Sequence, residues 1–376
     1  MKKIFLPLGW ISAIAILACG VLPAEQLCAQ ANDRTNILEH STDPRGLPEV
    51  VICSQNLENF GELALMKRRE EAENEKEREA KMHALVKRFQ KAGCTIIAVQ
   101  EVLGANSKKA QKALDELALR LRHYTNKEYV TYIGPSNDRI SQVGFIVEKE
   151  GIEFNGLTSF AKVELPKVSE GQEPRLFARG PLQLRLVVSG KEQAASRELT
   201  LVTFHFKSQA FNSGDGADLS WETYRMEMAE ALRRVIVQRN EELLKGDGNL
   251  LVLLGDRNSH FDSASARLLT GEVILSRFQG EAPCRLSKRG VPLCKPGAVL
   301  PPIFTSVLTN DPQTFQSSGT YLYGNTFSWL DEILLPVTNL QYAYEKAGVE
   351  GDYDSGVIRE FEEASDHGLV YVRLNW

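Results

Sequence analysis

Apolar residues recur along this chain in two patterns. Short continuous runs, bounded by polar or turn-forming residues, read as strands: Val50-Val51-Ile52-Cys53, Thr95 to Val99 and Leu250 to Leu254. Tyr129 to Ile133, Val143 to Val147, Leu182 to Val188, Leu199 to Phe206, Phe327 to Leu335 and Gly368 to Leu374 read as further strands. Between them lie segments with helical spacing. Met82, Leu85, Val86 and Phe89 close a charged stretch that runs from about Glu62 to Lys91. Its middle, Lys67 to Lys81, is almost wholly Lys, Arg and Glu, whose opposite charges can meet at i,i+4. It reads as a solvated helix face, with a nucleic-acid-binding rod as the alternative. Asn106 to Arg122 and the long amphipathic Trp221 to Leu244 complete the predicted helices. Gly280 to Gln316 is rich in Pro, Gly and Ser and reads as a loop excursion. Many strands with a few long helices between them predict an α/β fold, a two-sheet β-sandwich flanked by helices. No stretch in the middle resembles a linker, so residues 49–376 are expected to form one domain.

The N-terminus stands outside that pattern. Lys2 and Lys3 precede a nearly unbroken apolar run from Ile4 to Leu22, and Ala29-Gln30-Ala31 offers a cleavage site. Residues 1–31 read as a secretory signal peptide and 32–48 as a polar linker, which predicts a periplasmic or secreted protein. An uncleaved anchor is one alternative, because the run approaches spanning length. Lipid anchoring through Cys19 of Ile16-Leu17-Ala18-Cys19 is another. Cleavage after Ala31 leaves Cys53, Cys94, Cys284 and Cys294 in an oxidising compartment. Cys284 and Cys294, in a Pro- and Gly-containing stretch, are expected to form a local disulfide. Cys53 and Cys94 are expected not to pair, since opposite ends of neighbouring parallel strands lie too far apart.

Hydrophobic content of 43% and charged content of 25% are ordinary for a globular protein. The net charge of −5 gives no long-range attraction for a polyanion, so any nucleic-acid reading must rest on a local basic patch or a bound metal.

The candidate chemistry sits at strand ends. Val50 to Cys53 leads to Gln55-Asn56, Ile96 to Val99 to Gln100-Glu101, and Leu201 to Phe204 to His205. Leu251 to Leu254 leads to Gly255-Asp256-Arg257-Asn258, Phe327 to Leu330 to Asp331, and Ser365-Asp366-His367 opens the last strand. Strand ends are where a rigid sheet can hold side chains around a shared cleft. Each cluster alone is weak, since Gly-Asp-x-Asn is commonly a turn and Asp-His occurs by chance.

Together and in this order, the clusters resemble the endonuclease/exonuclease/phosphatase superfamily, which includes pancreatic-type deoxyribonuclease. The likeness spans roughly Val50 to Trp376. His205-Phe206-Lys207-Ser208 and Arg179-Gly180-Pro181-Leu182 are also similar to stretches of bacterial extracellular nucleases. The resemblance implies a deoxyribonuclease-like four-layer sandwich and a metal-dependent phosphodiesterase, a nuclease first. A phosphatase or phospholipase-C-like enzyme acting on phospholipid headgroups or inositol phosphates is the alternative. A binding protein that has lost catalysis is a third reading. Nothing in the chain calls for an obligate protein partner.

Phosphodiester hydrolysis needs an activated water, neutralised phosphate charge and a stabilised leaving oxygen. Glu101 is the first choice for a Mg2+ ligand, with Mn2+ or Ca2+ as substitutes, and Asp366 and Asn56 support it directly or through water. His367, with an ordinary pKa of about 6.5, is the expected general base. By the resemblance Asp331 orients it, His205 and Asn258 contact phosphate oxygens, and Asp256 holds the nucleophile or serves the leaving group. Lys207 and Arg179 are the expected substrate-binding cations. In the family an apolar residue usually stands where this chain has Arg257. Strand alternation turns it away from Asp256 and Asn258 toward packed core, where a charge needs a partner.

Overall fold

In the computed structural model, residues 49–66, 74–168, 173–189, 196–209, 221–245, 249–309, 319–323, 326–343 and 353–375 are described. The signal peptide, the linker, Cys19 and part of the charged Lys67–Lys81 stretch lie outside them. No helix among the described residues is long and apolar enough to cross a membrane.

The strands are β1 (Glu49–Gly61), β2 (Ile96–Leu103), β3 (Tyr129–Ile133), β4 (Ser141–Glu148), β5 (Ile152–Ser159), β6 (Leu182–Val188), β7 (Arg197–His205) and β8 (Leu250–Asp256). They continue as β9 (Cys284–Leu286), β10 (Pro292–Cys294), β11 (Phe304–Ser306), β12 (Tyr321–Tyr323), β13 (Thr326–Ser328), β14 (Asp331–Pro336), β15 (Ser355–Ile358) and β16 (Leu369–Asn375). The α-helices are α1 (Leu63–Met66), α2 (Asn74–Ala92), α3 (Ser107–Thr125), α4 (Glu222–Arg239) and α5 (Ala264–Thr270).

Two six-stranded sheets result, ordered β15-β16-β1-β2-β4-β3 and β11-β14-β8-β7-β6-β5. Each has one parallel pair, β1 with β2 and β7 with β8, and is otherwise antiparallel. The alternation of single strands explains the layers. Val50 and Ile52, Ile96 and Ala98, and Leu250, Val252 and Leu254 point into a core between the sheets. Their neighbours Val51, Ile97 and Val99 point the other way, onto α2 and α3, and Leu251 and Leu253 onto α4 and α5. Both faces are covered, so these strands read as continuous apolar runs rather than alternating ones. The order helix, sheet, sheet, helix is the four-layer α/β sandwich expected from the sequence.

Several expectations need correcting. The expected loop excursion at Gly280–Gln316 holds the β9–β10 hairpin and the edge strand β11. Phe327 to Leu335 is two strands, β13 and β14, in different sheets. The helix expected to reach Leu244 ends at Arg239, and a 3-10 turn covers Glu242–Lys245. Cys284 and Cys294 are bonded, as expected, across the β9–β10 pair.

Cys53 and Cys94 are bonded too, with Cα atoms 5.9 Å apart. The expectation placed Cys94 in an extended strand. Instead Cys94 N still donates to Phe89 O at the end of α2, and Gly93 adopts φ +69°. The chain therefore leaves the helix over the sheet face that carries Cys53, and both sulfurs lie in the core between sheet and helices.

Candidate active site

The sheet register sets the site. His205 on β7 pairs with Asp256 on β8, and Asp331 on β14 pairs with the same Asp256. The three lie in a row across one sheet. On the other sheet Asn56 pairs with Gln100, next to Glu101. Asn56 Nδ2 joins the sheets by donating to Asp256 Oδ2 at 3.0 Å and to Glu101 Oε1 at 3.3 Å. Below it Gln100 Nε2 donates to Ser54 Oγ and across to Thr203 Oγ1, both at 3.1 Å.

The backbone here departs from regular strand. Register shifts between Asn56 and Phe60, and between Val99 and Val102, mark paired irregularities in β1 and β2. Glu58, Asn59, Glu101 and Asn258 all have positive φ, between 48° and 59°. Such conformations cost about 1–3 kcal/mol each for non-glycine residues and gather where function holds them. Gly255, at φ +151°, has no room for a side chain, since a Cβ there would lie 2.0 Å from Phe204 O. That close approach seats Asp256 against β7.

Carboxylates crowd the site. Asp256 is buried, accepting from Asn258 N at 2.7 Å and Asn258 Nδ2 at 3.0 Å. Burial, followed by the charges of Asp331 and Glu101 and against those of His367 and the Asn258 N–H, pushes Asp256 up to about 7. Burial likewise raises Asp366, with Glu58 and Glu101 adding to the effect and His367 opposing it. Glu101 Oε2 accepts from Asn59 N at 3.0 Å. The oxygen of Asn56 is taken by Glu58 N at 2.9 Å, so what Asn56 offers the cluster is its N–H group.

Ligand atoms of Asp256, Asp331 and His367 lie within 4.8 Å of one another. Beside this group, Glu101 Oε1 and Asp256 Oδ2 converge on the shared Asn56 amide, carboxylate oxygens of the kind a hard cation prefers. The residues fit such an ion. Asp256 and Asp366 are both raised by burial and by neighbouring carboxylates, and one carboxyl oxygen of Asp331 has no hydrogen-bond partner, so the cluster has room for more positive charge than His367 supplies.

The two histidines differ. His367 Nδ1 lies 2.8 Å from Asp331 Oδ2, while Nε2 lies 3.9 Å from Asp366 Oδ1, beyond hydrogen-bond reach. Burial alone would lower its pKa. The charge and hydrogen bond of Asp331, with the charges of Asp256 and Asp366, outweigh burial and raise it to about 10. His205 is also buried, but neither ring nitrogen makes a hydrogen bond. Its Nε2 stands 3.5 Å from Asp256 Oδ2 and 3.7 Å from Glu101 Oε1. Burial, then the charges of Arg179, His367 and Lys207, hold it well below the ordinary histidine value, so the ring is neutral and has N–H to offer.

Solved structures share this arrangement of strands and helices. An endonuclease/exonuclease/phosphatase family protein from Bacteroides thetaiotaomicron superposes with TM-score 0.51 at 11% identity, covering 88% of this chain and 98% of its own. One from Leptotrichia buccalis gives TM-score 0.51 at 13% identity, covering 87% and 100%. This is the endonuclease/exonuclease/phosphatase fold. The human Nocturnin catalytic domain, solved with a bound sulfate anion, has it too, with TM-score 0.50, 12% identity and coverage of 88% and 96%. No family model and no curated protein matches the chain by sequence.

On this fold the chain brings together Asn56, Glu101, His205, Asp256, Asn258, Asp331, Asp366 and His367, whose sequence positions span more than three hundred residues. Lys207 and Arg179 stand nearby. Arg179 Nη1 donates to Phe206 O at 3.0 Å, and both cations depress His205. Burial, then Arg179, lowers Lys207 itself, against the charge of Asp138. Arg257 has its partner: Nη1 meets Glu332 Oε2 at 2.8 Å and Nη2 donates to Trp329 O at 3.0 Å, both side chains being buried. Ser306 Oγ donates to the other Glu332 oxygen.

Supporting residues had gone unassigned. Ser365 Oγ donates to Asn56 O at 2.8 Å and accepts from His367 N at 3.1 Å, so it ties the His367 loop to β1. Thr320 Oγ1 accepts from Asp331 N at 2.9 Å. Arg88, on α2, is 1% exposed. It donates to His367 O at 2.6 Å, Glu360 O at 2.8 Å, Arg359 O at 3.1 Å, and both Ser365 O and Gln55 Oε1 at 3.3 Å. Its signal was in the sequence, as a cation on the stripe of Leu85 and Ala92 at i−3 and i+4.

Proposed function

We propose that the chain is an exported, divalent-metal-dependent phosphodiesterase that hydrolyses DNA or RNA. The observation that carries the reading is the His367–Asp331 pair facing Asp256 and Glu101, which share the Asn56 amide. Glu101, Asp256 and Asp366 would hold the cation, which when bound supplies polarisation of a phosphoryl oxygen and neutralisation of its charge. Asp331 fixes the tautomer of His367 and leaves Nε2 to take the proton from the attacking water. Three carboxylates hold the proton on His367; engaging Asp256 and Asp366 elsewhere lowers the ring toward its base form. Neutral His205 and Asn258 donate N–H to the phosphate oxygens. Asp256 serves the nucleophile or the leaving group. The two disulfides among the described residues support export, because such bonds persist in oxidising compartments.

The test is a panel of plasmid DNA, RNA, sphingomyelin and inositol phosphates, each assayed with Mg2+ and with EDTA. We expect cleavage of nucleic acid only with the metal, reduced by about 10²–10⁴-fold in His367→Ala and in Glu101→Gln. Activity indifferent to EDTA removes the metal from the reading. Hydrolysis of sphingomyelin or inositol phosphates with nucleic acid untouched moves the enzyme to the lipid or phosphatase side.

A further inference from the structure

The chain as a whole is acidic, at net charge −5, yet residues 281–295 carry Arg285, Lys288, Arg289 and Lys295 against the single carboxylate Glu281. All four cations are exposed, and none forms an ion pair with a carboxylate among the described residues. They sit on a built element. Cys284 and Cys294 pair across β9 and β10 and are bonded to each other. Ser287 Oγ accepts from Arg289 N at 3.3 Å and Val291 N at 3.0 Å, so the turn that presents Lys288 and Arg289 is fixed.

The hairpin is docked next to the candidate site. Gly290 O accepts from Ala264 N at 2.9 Å. Gly290 itself lies against Glu222: at φ +73°, a Cβ would come within 2.9 Å of Glu222 Cγ, so only glycine fits. Glu222 Oε1 accepts from Ser265 N at 2.8 Å, and Ser265 Oγ donates to Ser259 Oγ at 2.8 Å, one residue beyond Asn258. On the other side Trp221, the neighbour of Glu222, lies under Lys207 Nζ at 5.3 Å. From Lys207, beside His205, to the turn of the hairpin is a path of two side chains.

We propose that the β9–β10 hairpin is a polyanion-binding arm. It extends the cationic track begun by Arg179 and Lys207 and grips the backbone of a nucleic acid beyond the phosphate being cleaved. This rests on the phosphodiesterase reading of the site and narrows its substrate to a polymer. A single phosphoester does not need four further cations, whereas successive phosphates of a strand do. The arm also resolves the charge problem, since a local cluster focuses attraction that the acidic whole cannot supply. Unpaired, exposed cations on a fixed scaffold suit the phosphate backbone, where binding is ionic and independent of sequence.

The experiment measures binding of a fluorescent DNA duplex in EDTA, by anisotropy, over a series of KCl concentrations. Cleavage of the same duplex is followed separately with Mg2+. Arg285, Lys288, Arg289 and Lys295 are changed together to Gln. A second variant keeps the charges as Arg285→Lys, Lys288→Arg, Arg289→Lys and Lys295→Arg. We expect the Gln variant to lose at least about tenfold in affinity at low salt and its log–log salt slope to flatten by roughly 2–3, with the charge-keeping variant close to wild type. Equal affinity and slope in the Gln variant, with wild type binding and cleaving, overturns the arm and leaves the site reading in place. Wild type that neither binds nor cleaves polynucleotide overturns both. Loss in the Gln variant of binding to phosphatidylserine vesicles, with DNA binding unchanged, also overturns the proposal, because the hairpin then serves a lipid surface.

Discussion

Replacing Arg88 by Met is the sharpest test of how the His367 loop is held. The guanidinium donates to four backbone carbonyls, those of Arg359, Glu360, Ser365 and His367, and to Gln55 Oε1. Burial lowers its pKa to about 10, against the charges of Glu360, Glu58, Asp366 and Glu362, so it remains a cation at neutral pH. Met fills similar volume and donates nothing. His367 O keeps the Gln55 Nε2 donor at 3.1 Å, while two buried acceptors, Ser365 O and Gln55 Oε1, lose their guanidinium donor. At about 1–3 kcal/mol for each buried acceptor stranded, less the relief of desolvating a cation, the net cost is on the order of 2–4 kcal/mol. At roughly 2–4 °C per kcal/mol, or somewhat less for a chain of this size, the melting temperature should fall by about 4–12 °C. The functional effect is separate. The loop carries Asp366 and His367, and a displacement of about 1 Å in a reacting group can cost about 10²-fold. Arg88 touches neither substrate nor water, so it is a positioning residue. In Arg88→Met, kcat on a phosphodiester should drop about 10–100-fold at temperatures where the protein is fully folded, with KM little changed. Arg88→Lys, which can reach some of the carbonyls, should recover part of the loss. Unchanged kcat alongside the lowered melting temperature would reduce Arg88 to a structural role. No change in either would show that these hydrogen bonds are not made.

Two further outcomes follow from buried pairs. Cys53→Ser with Cys94→Ser opens a loop of 41 residues, for which chain entropy sets a loss of up to about 4 kcal/mol, read as a lower denaturation midpoint than oxidised wild type. Equal midpoints in oxidised wild type and the double variant would mean the bond contributes nothing. Arg257→Met strands the Glu332 carboxylate, which is 1% exposed, and should cost about 3–5 kcal/mol in urea denaturation. Arg257→Met with Glu332→Leu removes both charges and should recover most of that; a double variant as unstable as the single one would show that the loss is one of packing rather than of charge.

The sandwich and its site were legible for one physical reason. Strands covered on both faces must be apolar throughout, so the point where polarity returns marks the strand end. His205, Asp256 and Asp331 sit at such ends and His367 just before β16, whereas Asn56 and Glu101 lie inside β1 and β2, where the ladder loses register. Elements that escaped reading lack that contrast. β5 is a sheet edge whose residues are mostly exposed or half-buried, and its sequence IEFNGLTS has no clean alternation. β11 is three residues long and exists because β14 offers it a ladder. Cys53–Cys94 depends on how the chain leaves α2, a turn set by Gly93. The need of Arg257 for a partner was readable from alternation, but Glu332 as that partner was not, because it comes from a strand far along the chain.

The site is a property of the seam between the sheets rather than of either sheet. Asn56, Glu101 and the His367 loop belong to one sheet, and His205, Asp256 and Asp331 to the other. Three contacts of the candidate chemistry cross the seam: Asn56 to Asp256, His205 toward Glu101, and His367 to Asp331. Directly beneath, Gln100 bridges to Thr203, and beyond that the seam is filled by Ile52, Ala98, Leu201, Val252 and Ile333. Such interiors are packed as densely as crystals and transmit strain. The distance between imidazole and carboxylate is therefore set by side chains that have no chemistry of their own. Volume changes in that inter-sheet layer should disturb the His367–Asp331 geometry directly, whereas changes under α2 reach it only through Arg88 and the His367 loop.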